Sequence, residues 1–161
     1  LKRDRGVVLA AVTEGSLALE FADASLKRDC SVVLAAVTRD GRALQFADES
    51  LKRDAAVVLA GLRVAAIPLD LVDNAFQFAD DSIKANRDVV LVAVATCAHA
   101  LQYAEASLKR DRNVVLAAIS EHAVAGLRYA DRSLRRDRDI AMAAVGKDRH
   151  ALQYADESLK R

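Results

Sequence analysis

One recurring phrase constrains the fold of this chain more than any other feature. A serine, an aliphatic residue and basic residues lead into an aspartate or asparagine, and an apolar run such as residues 32–37 follows. The aligned serines are spaced 25, 32, 25, 26 and 25 residues apart. Such self-similarity is typical of repeat proteins, in which each repeat buries its faces against its neighbours. The serines are Ser25, Ser50, Ser82, Ser107, Ser133 and Ser158.

Each repeat is predicted to contain two short helices. The aspartate or asparagine caps the first helix, because its side chain accepts from an unpaired backbone N–H. A break near Gly15 and Gly41 is expected to use the left-handed conformation that glycine tolerates. The second helix holds residues 43–48 and their copies and ends in the basic segment, which suits the negative helix end. The sequence therefore predicts an all-α solenoid of six short helical hairpins with a 25-residue repeat, in units of roughly 1–25, 26–50, 51–82, 83–107, 108–133 and 134–158, then the start of another unit.

Apolar residues make up 53% of the chain, which favours helices that are buried on more than one side. On the second helix, Leu44, Ala47 and Leu51 form an apolar stripe. An aromatic residue recurs beside this stripe and is expected to widen it, in core or groove packing. Stacking on nucleic-acid bases is the alternative. The aromatic residues are Phe21, Phe46, Phe78, Tyr103, Tyr129 and Tyr154.

Two repeats depart from the 25-residue period. The fifth has one extra residue near positions 122–125, and the third has seven between Leu62 and Phe76. Pro68 lies in the longer insertion and cannot continue a helix. Both helices of the third repeat are expected to lengthen and to project apolar residues past the stack, either as a partner-binding surface or packed against each other. The partner-binding candidates are Val64, Ile67, Pro68, Leu69, Leu71 and Val72.

The repeated phrase resembles the family of unknown function numbered 4116. Residues 108–119 match its Leu-Lys/Arg-x-Asp-Arg-x-Val-Val-Leu-Ala-Ala-Val pattern, with isoleucine in the last place, and residues 151–155 match its Ala-Leu-x-Tyr/Phe-Ala pattern. The resemblance covers the chain except for the insertion in the third repeat. It implies the repeat fold and no assigned activity.

Neither a metal site nor a cofactor is predicted. His99 and His150 occupy equivalent places two repeats apart, too far apart to share one metal ion. Cys97 and His99 supply only two ligands, whereas a structural zinc site needs four. Cys30 and Cys97 are predicted to be free thiols, which favours a reducing intracellular or organellar compartment.

No enzymatic activity is predicted. A carboxylate recurs at the same place in every repeat, which indicates a structural ladder and not an acid–base pair. The chain contains no glycine-rich phosphate loop, nucleophile elbow or metalloprotease helix motif. The recurring carboxylates belong to Asp23, Asp48, Asp80, Glu105, Asp131 and Asp156.

Basic residues form a second ladder, which could follow a phosphate backbone. Nearby acidic residues and a net charge of +1 favour a neutralised, solvated edge. The ladder consists of Lys27 with Arg28, Lys52 with Arg53, Lys109 with Arg110, and Arg135 with Arg136.

The predicted function is that of a non-enzymatic helical-repeat scaffold for protein–protein interaction. The chain begins and ends in phase with its own repeat, so we expect a piece of a longer array or a subunit of a larger assembly. The alternatives are a nucleic-acid-binding repeat array and a peripheral structural subunit of an organellar complex, such as a photosynthetic one. No membrane span is predicted, because the longest apolar run covers only residues 89–98. A small-molecule ligand is not expected, and the identity of the protein partner and the superhelix handedness stay open.

Overall fold

The computed structural model describes residues 1–62 and 75–160 of the chain. Within these ranges every regular element is a helix, so the prediction of an all-α repeat protein is confirmed. The chain divides into two compact units, Leu1–Ile83 and Lys84–Arg161. None of the helices in the described ranges is long and apolar enough to cross a membrane.

The first helix of each repeat begins directly after the predicted aspartate or asparagine. Asp29, for example, accepts from the backbone N–H groups of Ser31 and Val32 at 2.9 and 3.2 Å. Asn86 caps its helix in the same way, through Asp88 and Val89. The N-cap prediction is therefore confirmed. The first helices span Arg5–Glu14, Cys30–Val37, Ala55–Ala60, Arg87–Thr96, Arg112–Glu121 and Arg138–Lys147.

The second helices are 3₁₀ helices in five repeats and an α-helix in the fifth. In a complete 3₁₀ helix such as Gly41–Phe46, residues three apart lie on one face, so Arg42 and Gln45 point outwards while Gly41, Ala43 and Leu44 are buried. Six residues at three per turn and seven at 3.6 per turn both make about two turns. The extra residue of the fifth repeat is therefore absorbed by a change of helix type. The second helices span Ser16–Phe21, Gly41–Phe46, Ala75–Phe78, Ala98–Tyr103, Ala123–Tyr129 and Arg149–Tyr154.

The prediction that the second helix continues into the basic segment is wrong. Ala47 and Asp48 are extended, with φ/ψ of −69°/156° and −63°/150°, and a separate one-turn helix begins at Glu49. The Asp48 side chain caps this short helix and so competes with a continuous one. Each complete repeat thus contains three helical pieces. The short helices span Ala24–Lys27, Glu49–Lys52, Asp81–Lys84, Leu108–Arg110, Arg132–Arg135 and Glu157–Leu159.

The prediction of a left-handed glycine at the break is also wrong. Gly15 is extended, with φ −146° and ψ 106°. The residue at this place in other repeats has the same geometry, as His122 shows with φ −147° and ψ 104°. Any residue can adopt this conformation. Asp40, Cys97 and Asp148 occupy it in the remaining described repeats.

Within each compact unit, successive repeats stack through like elements. In Leu1–Ile83 the helix Cys30–Val37 packs between the first helices on either side, and in Lys84–Arg161 the helix Arg112–Glu121 does the same. Leu44, Leu101 and Leu127 of the second helices are fully buried. A small residue lets neighbouring backbones approach at the end of each second helix, where Ala22, Ala47, Ala79, Ala104, Ala130 and Ala155 are all buried.

Candidate functional site

The recurring aspartate caps one short helix and also joins it to the end of the preceding short helix. In Asp48, Oδ1 accepts from the backbone N–H and hydroxyl of Ser50 at 3.1 and 2.8 Å. Oδ2 accepts from Nε of Arg28 at 2.9 Å, and the Asp48 backbone N–H donates to the Lys27 carbonyl at 3.0 Å. We call this arrangement a rung. The same contacts form at Asp23, Asp80, Asp131 and Asp156.

A second row of ion pairs ties the caps of the first helices to the preceding repeat. Asp111 uses Oδ1 to cap its helix and Oδ2 to accept from Nε of Arg87 at 2.7 Å. Asp137 receives the guanidinium of Arg112 in the same way, at 2.6 Å. A single aspartate therefore shapes its own repeat with one oxygen and holds its neighbour with the other. Arg5 and Asp29 form the equivalent pair in the first compact unit.

The rungs keep the aspartates ionised. The Arg28 guanidinium and Ser50 lower the pKa of Asp48 to about 2. Hydrogen bonds from Ser25 and Arg3 lower the pKa of Asp23 to about 2 as well. A carboxyl group of this kind carries no proton near neutral pH, so it is a poor general acid.

At one rung, both the basic and the acidic position hold a different residue from the other rungs. Where the arginine is replaced by Ala85, the opposing acid is Glu105 and not aspartate. The Glu105 carboxylate still accepts from the Ser107 hydroxyl, and its backbone N–H still donates to the Lys84 carbonyl at 3.0 Å. The backbone contact of the rung therefore survives without the guanidinium.

The basic ladder predicted as a possible phosphate site is engaged by the protein itself. Arg28 and Arg53 donate to Asp48 and Asp80. Lys109 donates from Nζ to the Gln102 carbonyl at 2.6 Å, and burial lowers the pKa of its ammonium group. These cations contribute to the stacking of repeats.

The aromatic residues are half-buried, apart from the exposed Phe21, so core packing is wrong and groove packing stays a prediction. Phe21 is 63% exposed, whereas Leu19 two positions earlier is fully buried. We call the partly exposed residues of this set the aromatic rows. The row of the first compact unit holds Phe46 and Phe78, and that of the second holds Tyr103, Tyr129 and Tyr154.

The structure brings together a group of rings that sequence spacing did not reveal. His99 lies 5.6 Å from His122 and 5.8 Å from Tyr129, between ring centroids. The Arg128 Cζ lies 5.3 Å from the centre of the Tyr129 ring and 5.7 Å from that of Tyr154. We call these five residues the tyrosine–arginine cluster. Its signal in the sequence was Arg128 itself, because the other repeats carry glutamine or glutamate at that place.

The other predicted site residues are not assembled into a site. His150 contacts Asp148 at 2.9 Å and takes no part in the cluster of His99. Within residues 1–62 and 75–160, no three of the histidine, cysteine, aspartate or glutamate side chains are placed to hold a metal ion. Cys30 and Cys97 are not joined by a disulfide bond. The predicted partner-binding residues Val64, Ile67, Pro68, Leu69, Leu71 and Val72 lie outside the described residues.

The fold and the rungs define an all-helical repeat protein whose ionic groups join one repeat to the next. The chain belongs to the family described as Domain of unknown function (DUF4116), whose model matches residues 1–60, 69–109, 86–125 and 111–160. These matches leave out residues 61–68, within the insertion of the third repeat. Comparison with curated proteins and with solved structures found no similar protein.

Proposed function

We propose that this chain is a non-enzymatic scaffold that binds protein partners along its aromatic rows. The observation that carries the proposal is the partial exposure of Phe46, Phe78, Tyr103, Tyr129 and Tyr154. Partly exposed aromatic side chains provide large apolar contact areas with little loss of conformational freedom on binding. A repeat array presents such residues at regular intervals, which suits an extended partner.

The state of the polar groups argues against catalysis. The aspartates of the rungs are ionised and fully occupied by arginine, serine and backbone contacts, as at Asp48 and Asp80. A general acid or base near neutral pH needs a pKa near that pH and a free path to a substrate. The recurring carboxylates have neither property, so we assign them a structural role.

The same contacts favour protein over nucleic acid as the partner. A phosphate approaching Arg28, Arg53 or Arg136 would have to compete with an aspartate already held at 2.9 to 3.1 Å. Replacing one anion by another at a guanidinium that already has a partner gives little net gain in binding free energy. The aromatic rows carry no such competition.

The proposal is tested by comparing the proteins captured by the chain with and without the aromatic side chains of one row. Purified wild-type chain, a Phe46→Ser/Phe78→Ser variant and a Leu17→Ser control are each immobilised and exposed to cell lysate, and bound proteins are identified by mass spectrometry. Leu17 is an exposed apolar residue on a second helix but lies outside the row. We expect specific proteins to be retained by wild type and control and lost from the row variant. Equal capture by all three chains would contradict the proposal.

The insertion of the third repeat remains an alternative contact surface, and the same assay separates it from the rows. An Ile67→Asp/Leu69→Asp variant should capture partners normally if the rows bind them. Loss of capture with an unchanged helical circular dichroism signal and melting temperature would move the contact to the insertion.

A further inference from the structure

The tyrosine–arginine cluster holds a guanidinium that differs from those of the rungs. Arg128 is exposed, and its Cζ lies within 5.7 Å of the ring centres of both Tyr129 and Tyr154. Stacking on aromatic rings restricts a guanidinium without using its N–H donors. In the part of the chain that the structure describes, Arg128 has no aspartate of the kind that pairs with Arg110 or Arg136.

Two members of the cluster, His122 and Arg128, depart from the residue types of the other repeats, whereas the place of His99 is variable and holds histidine again at His150. Position 128 is glutamine or glutamate in every other repeat, and the place of His122 is elsewhere glycine, aspartate or cysteine. The place of His99 is taken by leucine in the first repeat and arginine in the second. These residues lie on the outward ridge or at the break, so their change leaves the buried leucines and alanines in place.

The local charge of the cluster is positive. Burial lowers the pKa of His99, and the nearby His122 and Arg128 lower it further. The Nδ1 atom of His122 accepts from the Ala125 backbone N–H at 3.2 Å, so the neutral ring carries its proton on Nε2. The cluster thus offers donors and a fixed positive charge.

An unsatisfied donor belongs to Arg135, which lines the same cavity as Tyr154. The Nε atom of Arg135 is buried and has no hydrogen-bond partner. Arg135 and Tyr154 line a surface cavity of about 250 Å³, together with Arg132 and Lys160. Other repeats carry lysine at the place of Arg135, and lysine has no Nε–H donor of this kind. A buried donor without an acceptor is costly unless a ligand supplies one.

We propose that this surface binds an acidic peptide segment of the protein partner, with one carboxylate on Arg128 and a second reaching Arg135 across the Tyr154 ring. This proposal rests on the scaffold function proposed above. A planar guanidinium held between rings presents parallel N–H groups that match a carboxylate. The Nε2–H of His122 lies in the same cluster as a further donor.

Charge distribution favours a short acidic peptide over a nucleic acid. Asp148 borders the cluster beside His122, and Asp156 and Glu157 line the cavity. A phosphate backbone carries one charge per nucleotide and would meet these carboxylates. A short peptide can place one carboxylate at Arg128 and one at Arg135 and carry no charge elsewhere.

The test is fluorescence anisotropy of a fluorescein-labelled glutamate- and tyrosine-containing peptide at low salt. The variants are Arg128→Gln, which restores the residue type of the other repeats, and Arg135→Lys, which does the same at the cavity. Arg138→Gln is the charge-matched control, because Arg138 is exposed on a first helix and outside the cluster. We expect Kd to rise about tenfold for Arg128→Gln and about threefold for Arg135→Lys, with no change for Arg138→Gln.

Three results would overturn the proposal. One is equal binding by wild type and Arg128→Gln, and another is equal weakening by Arg128→Gln and Arg138→Gln. The third is displacement of the peptide by single-stranded DNA at a lower concentration than by unlabelled peptide, which would assign the surface to nucleic acid. The scaffold proposal is judged separately, because capture that depends on Phe46 and Phe78 stands whether or not the acidic peptide binds.

Discussion

Gly126 allows an unusually close approach between two helices, and its replacement gives a sharp test of the packing. A Cβ atom at this position would lie 2.5 Å from the Ile119 backbone nitrogen and 2.8 Å from the Ala118 carbonyl carbon. Both atoms belong to the backbone of the helix Arg112–Glu121, so neither can move aside as a side chain can. Gly126→Ala must therefore separate the two helices.

The expected size of the effect follows from two opposing contributions. Alanine favours a helix over glycine by about 1 kcal/mol. Overpacking of a tight contact costs about 1–3 kcal/mol, and contact with backbone belongs at the upper end. We expect a net loss of about 1–2 kcal/mol and a melting temperature lower by about 2–8 °C.

Gly146→Ala is the matched control in the same compact unit. Gly146 lies in the helix Arg138–Lys147, and a Cβ atom there would have no neighbour within 4 Å. This variant should gain up to about 1 kcal/mol from helix propensity. Thermal melts followed by circular dichroism compare both variants with wild type. A melting temperature of Gly126→Ala at or above that of wild type would refute the close packing.

Deleting Gly126 should be less harmful than replacing it. The deletion leaves a six-residue segment with the Ala-x-Ala-Leu-x-Tyr pattern of Ala98–Tyr103, which is a 3₁₀ helix of about two turns. We expect the fifth repeat to adopt that helix and to melt above Gly126→Ala. A lower melting temperature for the deletion would show that helix type is not set by segment length.

Two further predictions concern the rungs. Helical circular dichroism should decrease as pH falls from about 4 towards 2, because the pKa of Asp48, lowered to about 2 in the folded chain, lies below the value near 4 of an unfolded aspartate. The carboxylate therefore stabilises the fold above the unfolded pKa and loses this effect on protonation, and unchanged ellipticity down to pH 2 would contradict the assignment. Ala85→Arg with Glu105→Asp should rebuild a complete rung and stabilise the chain by about 0.2–1 kcal/mol more than the sum of the single changes, as measured by urea denaturation. Additive single changes would show that no rung forms.

The repeat and the helix starts could be predicted because they depend on local chemistry. Asp29 and its copies stand three positions before the valine or isoleucine that starts an apolar run, and their side chains accept from the N–H groups two and three positions on. Such a cap needs no partner from elsewhere in the chain. The repeat period then predicted where each of the other first helices begins. The Arg28–Asp48 contact was expected only as general neutralisation, because its partners lie 20 residues apart in sequence.

The path of the second helix could not be predicted from its apolar stripe. Leu44, Ala47 and Leu51 are all buried, as an α-helical spacing predicts, yet they lie on two separate helical pieces. A 3₁₀ helix followed by a one-turn helix buries the same three residues as a single α-helix would, but it exposes different residues. Phe46 is half-buried and not part of the core, and the stripe alone carried no information that separates the two cases.

The cluster of His99, His122 and Arg128 escaped prediction for a different reason. Its members come from consecutive repeats and occupy different repeat positions. An alignment of equivalent positions therefore does not place them side by side. A search for positions where a repeat departs from its own consensus would have found Arg128.

The rungs also bear on how such a chain can change in length. Each rung joins a short helix to the preceding one through an acidic residue and a backbone carbonyl, and an arginine completes the ion pair at every described rung except that of Glu105. The second row of ion pairs, such as Arg87 with Asp111, joins one repeat to the next. Most repeats therefore carry the same donors and acceptors for their neighbours. A duplicated 25-residue cassette, produced for instance by unequal recombination, would find its ion pairs and backbone contact already provided by its new neighbours. Length in this architecture is therefore open to change by whole repeats without compensating substitutions, and the same property would let an engineer add binding surface one repeat at a time.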